Sequence, residues 1–375
     1  MFTFHLRLRN ISENGETKKL FLVQVKYTYH YIILTKTYLP LYLPPFVKAP
    51  VVSSYRFDSC FGLRKDLLNS SIMSNRLERK RIAEETLQII KEGSYCIPGG
   101  HRSGKDDAQC IREDIDRCDK LTNVLNLDCW EKMFEEIKLP DTLRKQRPAI
   151  EVTDEYSITC CRRLHEEGFK NITCLNFASA KNPCGGMLNG SIAQEESLGL
   201  CSALYSSLTK QEHHYTANRK DPKNGLYQDS LIYSPGCPVF RDDATYQLLN
   251  QPFKVNFISC PAVNSGITKA PTTLIKDTMR RRTKAIISIA IKEGSDGLVL
   301  GAWGTGVFKN DVNDVANYFK EWLIPSDAVD PFLHQASITF SNGSNASAAF
   351  KVVFAVGKDP KNQQAFRTAF TSSSS

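Results

Sequence analysis

The 375-residue sequence holds twelve cysteines yet contains no CxxC pair. No cluster of Cys and His stands at zinc-ligand spacing either, which excludes zinc fingers and ribbons. There is no GKS or GKT, hence no P-loop, and no GxGxxG, hence no dinucleotide fingerprint. Internal repeats are absent. Long apolar runs are scarce. The most apolar early stretch, "YHYIILTKTYLPLYLPPFV", is broken by Lys36, Pro40, Pro44 and Pro45 and makes a poor membrane span. The opening "MFTFHLRLRN" meets arginines too early for the apolar core of a secretory signal. These absences predict an intracellular protein, cytoplasmic or nuclear, with no membrane partner. Its cysteines then read as reduced, mostly buried thiols, as Cys174 in "ITCLNF" and Cys260 in "NFISC" suggest.

The formal charge is +8, but unevenly spread. Residues 1–73 hold ten Lys and Arg against four Asp and Glu, and the remainder holds 38 against 36. A near-neutral body lacks the basic stripe that duplex nucleic acid requires. An anionic ligand is still compatible with it, because backbone amides at a helix N-terminus bind anions without net charge. With 41% apolar residues the chain can bury a sizeable core.

From Ser74 onward the pattern becomes regular. "SNRLERKRIAEETLQIIKEG" and "EYSITCCRRLHEEGF" read as helices ended by Gly93 and Gly168. "DTMRRRTKAIISIAIKEG" and "NDVNDVANYFKEWL" read as helices further on. "NITCLNFAS", "LIYS", "VNFIS", "GLVLGAW" and "FKVVFAV" read as strands. Leu198, Cys201, Tyr205 and Leu208 fall on one face of a single helix. Alternating strands and helices predict a layered α/β domain around a buried sheet.

Two segments share one design of apolar strand, glycine-rich turn and helix. They are "NFASAKNPCGGMLNGSIAQEE" and "GLVLGAWGTGVFKNDVNDV", the second carrying Gly301, Gly304 and Gly306. Glycine permits positive φ and close approach of backbone to ligand. The amides at the following helix start then face phosphate oxygens. Purely structural turns fit the same pattern. The first segment adds the doubled acid Glu195-Glu196. Neighbours on a helix point about 100° apart, so one acid enters a pocket more fully than the other. Like charge and desolvation raise one of two adjacent carboxyls, while the helix N-terminus opposes this. A carboxyl so poised can protonate a leaving oxygen. The plainer reading is a favourable acidic first helical turn. His213-His214 reads as a solvated loop, "MRRRTK" as a charged helix face, and Cys160-Cys161 as core.

The first segment resembles the GGG-x(6–8)-QEE signature of poly(ADP-ribose) glycohydrolases, and more closely their microbial-type branch. "RIAEETLQIIKEGSY", "YSPGCPVFRDD", "FISCPAVN", "LVLGAWGTGVFKND" and "VVFAVGKDPKNQQAFRTAF" also resemble family blocks, in family order. The resemblance covers roughly residues 74–370. It implies a macrodomain-like three-layer α/β/α sandwich with a mixed sheet and an N-terminal helical portion. Residues 1–73 are then an extension of unassigned role, and 371–375 a frayed tail.

The implied activity is hydrolysis of ribose–ribose O-glycosidic bonds in poly(ADP-ribose), releasing ADP-ribose, in the exo mode of the microbial branch. The partners are the polymer or ADP-ribosylated proteins, with no cofactor, no metal, and a monomeric enzyme. Position by position, Gln194, Glu195 and Glu196 match QEE. The resemblance makes Glu196 the general acid/base and sets Glu195 against ribose hydroxyls. Gly185 and Gly186 match the last two glycines of GGG and lie against the diphosphate, with Asn182 on the distal ribose. Gly304, Thr305, Gly306 and Val307 wrap the phosphates, and Phe308 packs on the sugar, or in the core. The chain departs at Cys184, where the signature has its first glycine. A Cβ there is harmless at negative φ, but at positive φ it is strained and threatens the phosphate space. That departure keeps a second reading open, an inactive ADP-ribose-binding module. A third is a nucleotide-phosphate hydrolase whose acids bind a metal.

Overall fold

The computed structural model describes residues 5–13, 16–25, 28–34, 75–97, 108–126, 128–129, 131–132, 148–220, 224–324 and 350–371. The chain divides into two compact units, Met1–Asp58 and Ser59–Ser375. In the first unit, β1 (His5–Glu13), β2 (Glu16–Val25) and β3 (Thr28–Leu34) form an antiparallel three-stranded sheet in that order. Most of the apolar stretch at 29–47, the rest of the 1–73 extension and the tail 372–375 lie outside the described residues. No helix among the described residues is long and apolar enough to cross a membrane.

The second unit is built on a mixed seven-stranded sheet. Its strands are β6 (Asn123–Asn126), β7 (Ala149–Thr153), β8 (Ile172–Phe177), β9 (Ser230–Arg241), β10 (Leu248–Cys260), β11 (Gly297–Leu300) and β12 (Lys351–Ala355). Their order is β6-β9-β10-β8-β11-β12-β7. β7, β8, β10, β11 and β12 run parallel, and β6 and β9 pair antiparallel at one side. A small ribbon, β4 (Ser94–Tyr95) with β5 (Gln109–Cys110), precedes the sheet in sequence.

β11 and β12 alternate strictly between two cores. Leu298 and Leu300 of β11, with Val352 and Phe354 of β12, face one apolar cluster, and Val299, Val353 and Ala355 face the other. Both faces of the sheet are therefore covered, which is why these strands read as nearly continuous apolar runs. α7 (Thr272–Lys292), α8 (Val312–Leu323) and α9 (Pro360–Thr371) fill the first face. α1 (Arg76–Glu92), α2 (Arg112–Leu121), α3 (Ser157–Glu166), α4 (Gln194–Cys201) and α5 (Leu204–Thr209) fill the second. The result is a macrodomain-like α/β/α sandwich.

Three expectations need correction. The single helix expected across 198–208 is broken into α4 and α5. Ser202 is extended (φ −144°, ψ 175°) and bridges Val239, while its Oγ donates to the Leu198 carbonyl at 2.7 Å. Sheet pairing thus overrides the helical period at one residue. His213-His214 lies not in a solvated loop but on α6 (Glu212–Lys220). His214 is buried between Ser230 (3.2 Å) and Asn218 (3.4 Å), and burial lowers its pKa to about 4. Finally, "MRRRTK" is not wholly a solvated face, since Arg282 is 2% exposed. It pairs with Asp229 at 2.9 Å and donates to the carbonyls of Leu226, Tyr227, Gln228 and Pro261.

Candidate active site

The parallel strands end along one edge of the sheet, and the loops leaving them enclose a cavity of about 940 Å³. Ligands of open α/β sheets bind in such a carboxyl-edge crevice. The wall is built from residues after β7 (Glu155 to Ser157), after β8 (Phe177 to Ser197), after β11 (Ala302 to Phe308) and after β12 (Val356, Gly357). Every residue to which the resemblance gives a catalytic or substrate-binding role lines it except Cys184.

α4 starts against the end of β8, and its first three side chains lock that junction. Gln194 accepts from the Phe177 amide at 2.9 Å and donates to the Leu175 carbonyl at 2.7 Å and Ser157 Oγ at 3.0 Å. Both of its amide hydrogens are committed within the protein, so it braces the strand end. Glu195 Oε2 accepts from the Ser179 amide at 2.7 Å, and Oε1 lies 3.4 Å from Asn176 Nδ2. Glu196 Oε1 accepts from the Gly186 amide at 2.9 Å. Each acid therefore tethers one part of the 178–193 loop. The two differ in depth, Glu195 being 3% exposed and Glu196 8%. Burial raises the Glu195 carboxyl well above the ordinary carboxylate range, and the neighbouring Glu196 charge adds to this, against hydrogen bonds from Ser179, Asn176 and the Cys184 backbone.

The loop is tightly wound. Cys184 and Gly185 both adopt left-handed backbone, φ 51° and 54°. A Cβ on Gly185 would fall 2.6 Å from Glu196 Oε1 and 3.1 Å from Glu195 Oε2, so glycine is demanded there by space and by φ. Cys184 carries the strain of an αL non-glycine residue, about 1 kcal/mol. Its side chain, however, is fully buried in the core beneath the loop and does not enter the cleft. The expectation that Cys184 lines the phosphate space is corrected accordingly. Burial, then the two glutamates, raise its thiol pKa, which excludes a reactive thiolate. From behind, Arg76 and Arg79 of α1 donate to the carbonyls of Asn189 (2.7 Å) and Gly190 (2.9 Å).

The second loop is braced by Asn310. Its Nδ2 donates to Val263 (2.7 Å) and Gly304 (2.9 Å), and its Oδ1 accepts from Ser265 at 2.7 Å. Gly304 has φ 74°, and a Cβ there would meet Ala262. Trp303 is buried and donates to the Cys260 carbonyl at 2.9 Å, while Val307 at the tip is 81% exposed. Phe308 packs partly on the core and also lines the cleft, 6.1 Å from the Tyr227 ring. Asp311 caps α8 through the amides of Asn313 and Asp314.

Sequence reasoning missed Asn176, Ser179 and Asp243. Asp243 lines the cleft and caps α3, accepting from the amides of Ile158 (2.7 Å) and Thr159 (2.9 Å). Burial pushes its carboxyl up to about 6. Only the blocks "NFASAK" and "FRDD" around these residues hinted at them. Among the described residues, no group of three or more His, Cys, Asp or Glu is placed to hold a metal ion.

The family model for the microbial-type PARG catalytic domain matches residues 83–242. Among solved structures, the chain is similar to poly(ADP-ribose) glycohydrolase from Thermomonospora curvata, with 34% identity and TM-score 0.67, covering 78% of this chain and 99% of that one. The same bacterial protein bound to the inhibitor ADP-HPD matches with TM-score 0.65, 34% identity and the same coverage. Poly(ADP-ribose) glycohydrolase from Deinococcus radiodurans in complex with ADP-ribose matches at 35% identity and TM-score 0.57, covering 69% of this chain and 97% of that one. No curated protein matches the chain.

Proposed function

Because the chain belongs to the microbial-type poly(ADP-ribose) glycohydrolase family, we propose that it hydrolyses ribose–ribose O-glycosidic bonds of poly(ADP-ribose) and releases ADP-ribose from the polymer or from modified proteins. The observation that carries this is the placement of Glu195 and Glu196 between two glycine loops, each acid bound to an amide of the first loop. The cleft takes one ADP-ribose unit, its diphosphate lying along the backbone of Gly185 and Gly186 on one side and Gly304 to Val307 on the other. Asn182 then meets the distal ribose and Phe308 packs on the sugar. The catalytic domain in this reading is residues 74–370.

Glycosidic cleavage develops positive charge on the ribose ring. The bound diphosphate stabilises it, as does the Glu196 carboxylate once its proton has passed to the leaving oxygen. Glu196 is the general acid/base. Its Oε1 is held by Gly186, which leaves Oε2, with no hydrogen-bond partner among the described residues, as the oxygen offered to the substrate. It protonates the leaving ribose oxygen, then takes a proton from the attacking water. Glu195 sits deeper, holds Ser179, and orients ribose hydroxyls. Gln194 supports both by bracing the β8–α4 junction. The inward turn of Cys184 supports hydrolysis over the reader alternative, which needed a side chain in the phosphate space.

The test is release of ADP-ribose from auto-modified, polymer-bearing protein with EDTA present. Chelator-insensitive release is expected. Turnover abolished by EDTA would favour a metal-dependent phosphohydrolase. Binding without release would favour the reader.

A further inference from the structure

α4 grips the first loop twice. Above, Glu196 holds the Gly186 amide, and Glu195 holds the Ser179 amide. Below, Gly199 stands one helical turn beyond Glu195 and is buried. A Cβ built on Gly199 would lie 2.7 Å from Met187 Sδ, 2.8 Å from Cys184 Sγ and 3.0 Å from Cys184 Cβ. At the two sulfur distances something must shift, and the third is tight enough that Cys184 must also give way. Glycine is a poor helix former, so its place inside an eight-residue helix needs a packing reason. The missing side chain is a notch that receives two side chains of the loop.

We propose that Gly199 is a positioning residue for the hydrolysis and forms a matched pair with Cys184. The inference rests on the glycohydrolase reading above. The cysteine departs from the glycine signature at a left-handed position, where its Cβ must go somewhere. The notch at 199 takes it inward, and the cleft stays clear. Filling the notch pushes Cys184 and Met187 away from α4. Residues 185 and 186 lie between them, so the Gly186 amide lifts off the Glu196 carboxylate. Removing the cysteine side chain clears two of the three contacts and gives the flexible Met187 thioether space to shift, which makes room for a methyl group at 199.

The experiment compares wild type, Gly199→Ala, Cys184→Gly and the double variant. Melting temperature, ADP-ribose affinity by calorimetry, and kcat and KM per folded molecule are measured for each. Gly199→Ala is expected to lower kcat by about tenfold or more and to weaken ADP-ribose binding, since small misplacements of catalytic groups are expensive. The double variant is expected to return to within about threefold of Cys184→Gly, the signature of coupled neighbours. A Gly199→Ala protein with lowered melting temperature but unchanged kcat and affinity would make the glycine merely structural and overturn the proposal. Equal losses in the single and double variants would overturn the pairing. If Gly199→Ala does not fold, the double variant decides: a folded, active chain supports the pair and an unfolded one sinks it. A wild type that binds ADP-ribose without releasing it would end the hydrolase reading, while the four affinities would still judge the pair.

Discussion

Gly185 lies so close to Glu196 that a Cβ added to it would stand 2.6 Å from Oε1 of the acid. The loop backbone passes directly over the acids, at φ 54°. Gly185→Ala is therefore expected to reduce kcat/KM for ADP-ribose release by about a hundredfold, the scale of a 1 Å displacement at reacting groups. The same change at Gly306, where a Cβ meets nothing within 4 Å, is expected to do far less. Comparable losses at both positions would show that close approach to Glu196 is not the cause.

Glu196→Gln keeps the shape and the acceptor for the Gly186 amide but removes the exchangeable proton. Release should vanish, while ADP-ribose affinity stays within about 1–2 kcal/mol of wild type. Calorimetry alongside a release assay checks both. Residual hydrolysis at the wild-type rate would transfer the general acid role elsewhere.

Glu195→Gln is expected to stabilise the fold with a defined pH signature. Burial raises the folded carboxyl well above its unfolded value of about 4.3. The folded chain therefore holds a proton that the unfolded chain releases. That contribution is fully present below the unfolded pKa and is lost as pH rises through the folded one. Glutamine has no such titration, so its melting-temperature advantage should grow from about pH 4.5 toward pH 8, at roughly 2–4 °C per kcal/mol. Asp243, pushed up to about 6, slopes the same way in both proteins and cancels. A pH-independent difference in thermal melts would contradict this account.

Arg282 and Arg280 are two residues apart on α7 with opposite expectations. Arg282 is buried, ion-paired to Asp229 and bonded to four carbonyls. Arg282→Met leaves Asp229 to Arg281 alone (2.6 Å) and strips four carbonyls of their buried donor, so a loss of about 3 kcal/mol is expected from urea denaturation. Arg280 pairs with Glu321 at 3.1 Å while 47% exposed, so Arg280→Gln should fall within about 1 kcal/mol. Similar values for the two would mean that burial does not set the cost.

Much of this protein was legible without coordinates. Gly93 and Gly168 stop their helices in left-handed backbone because local chemistry sets those ends. β8, β11 and β12 stood out because a sheet covered on both faces writes apolar runs into the chain. The QEE block after a glycine loop located the site, since close backbone approach and adjacent acids are local patterns. Tertiary structure decided what depends on distant partners. Ser202 breaks a helix because Val239 offers a sheet bridge. His214 is buried because Ser230 and Asn218 meet it. Asn176 and Ser179 support Glu195 because β8 ends beneath α4. The orientation of Cys184 was likewise invisible in its own segment. A left-handed residue directs its Cβ by the backbone on either side, but the space that receives it belongs to Gly199, fifteen positions along the chain.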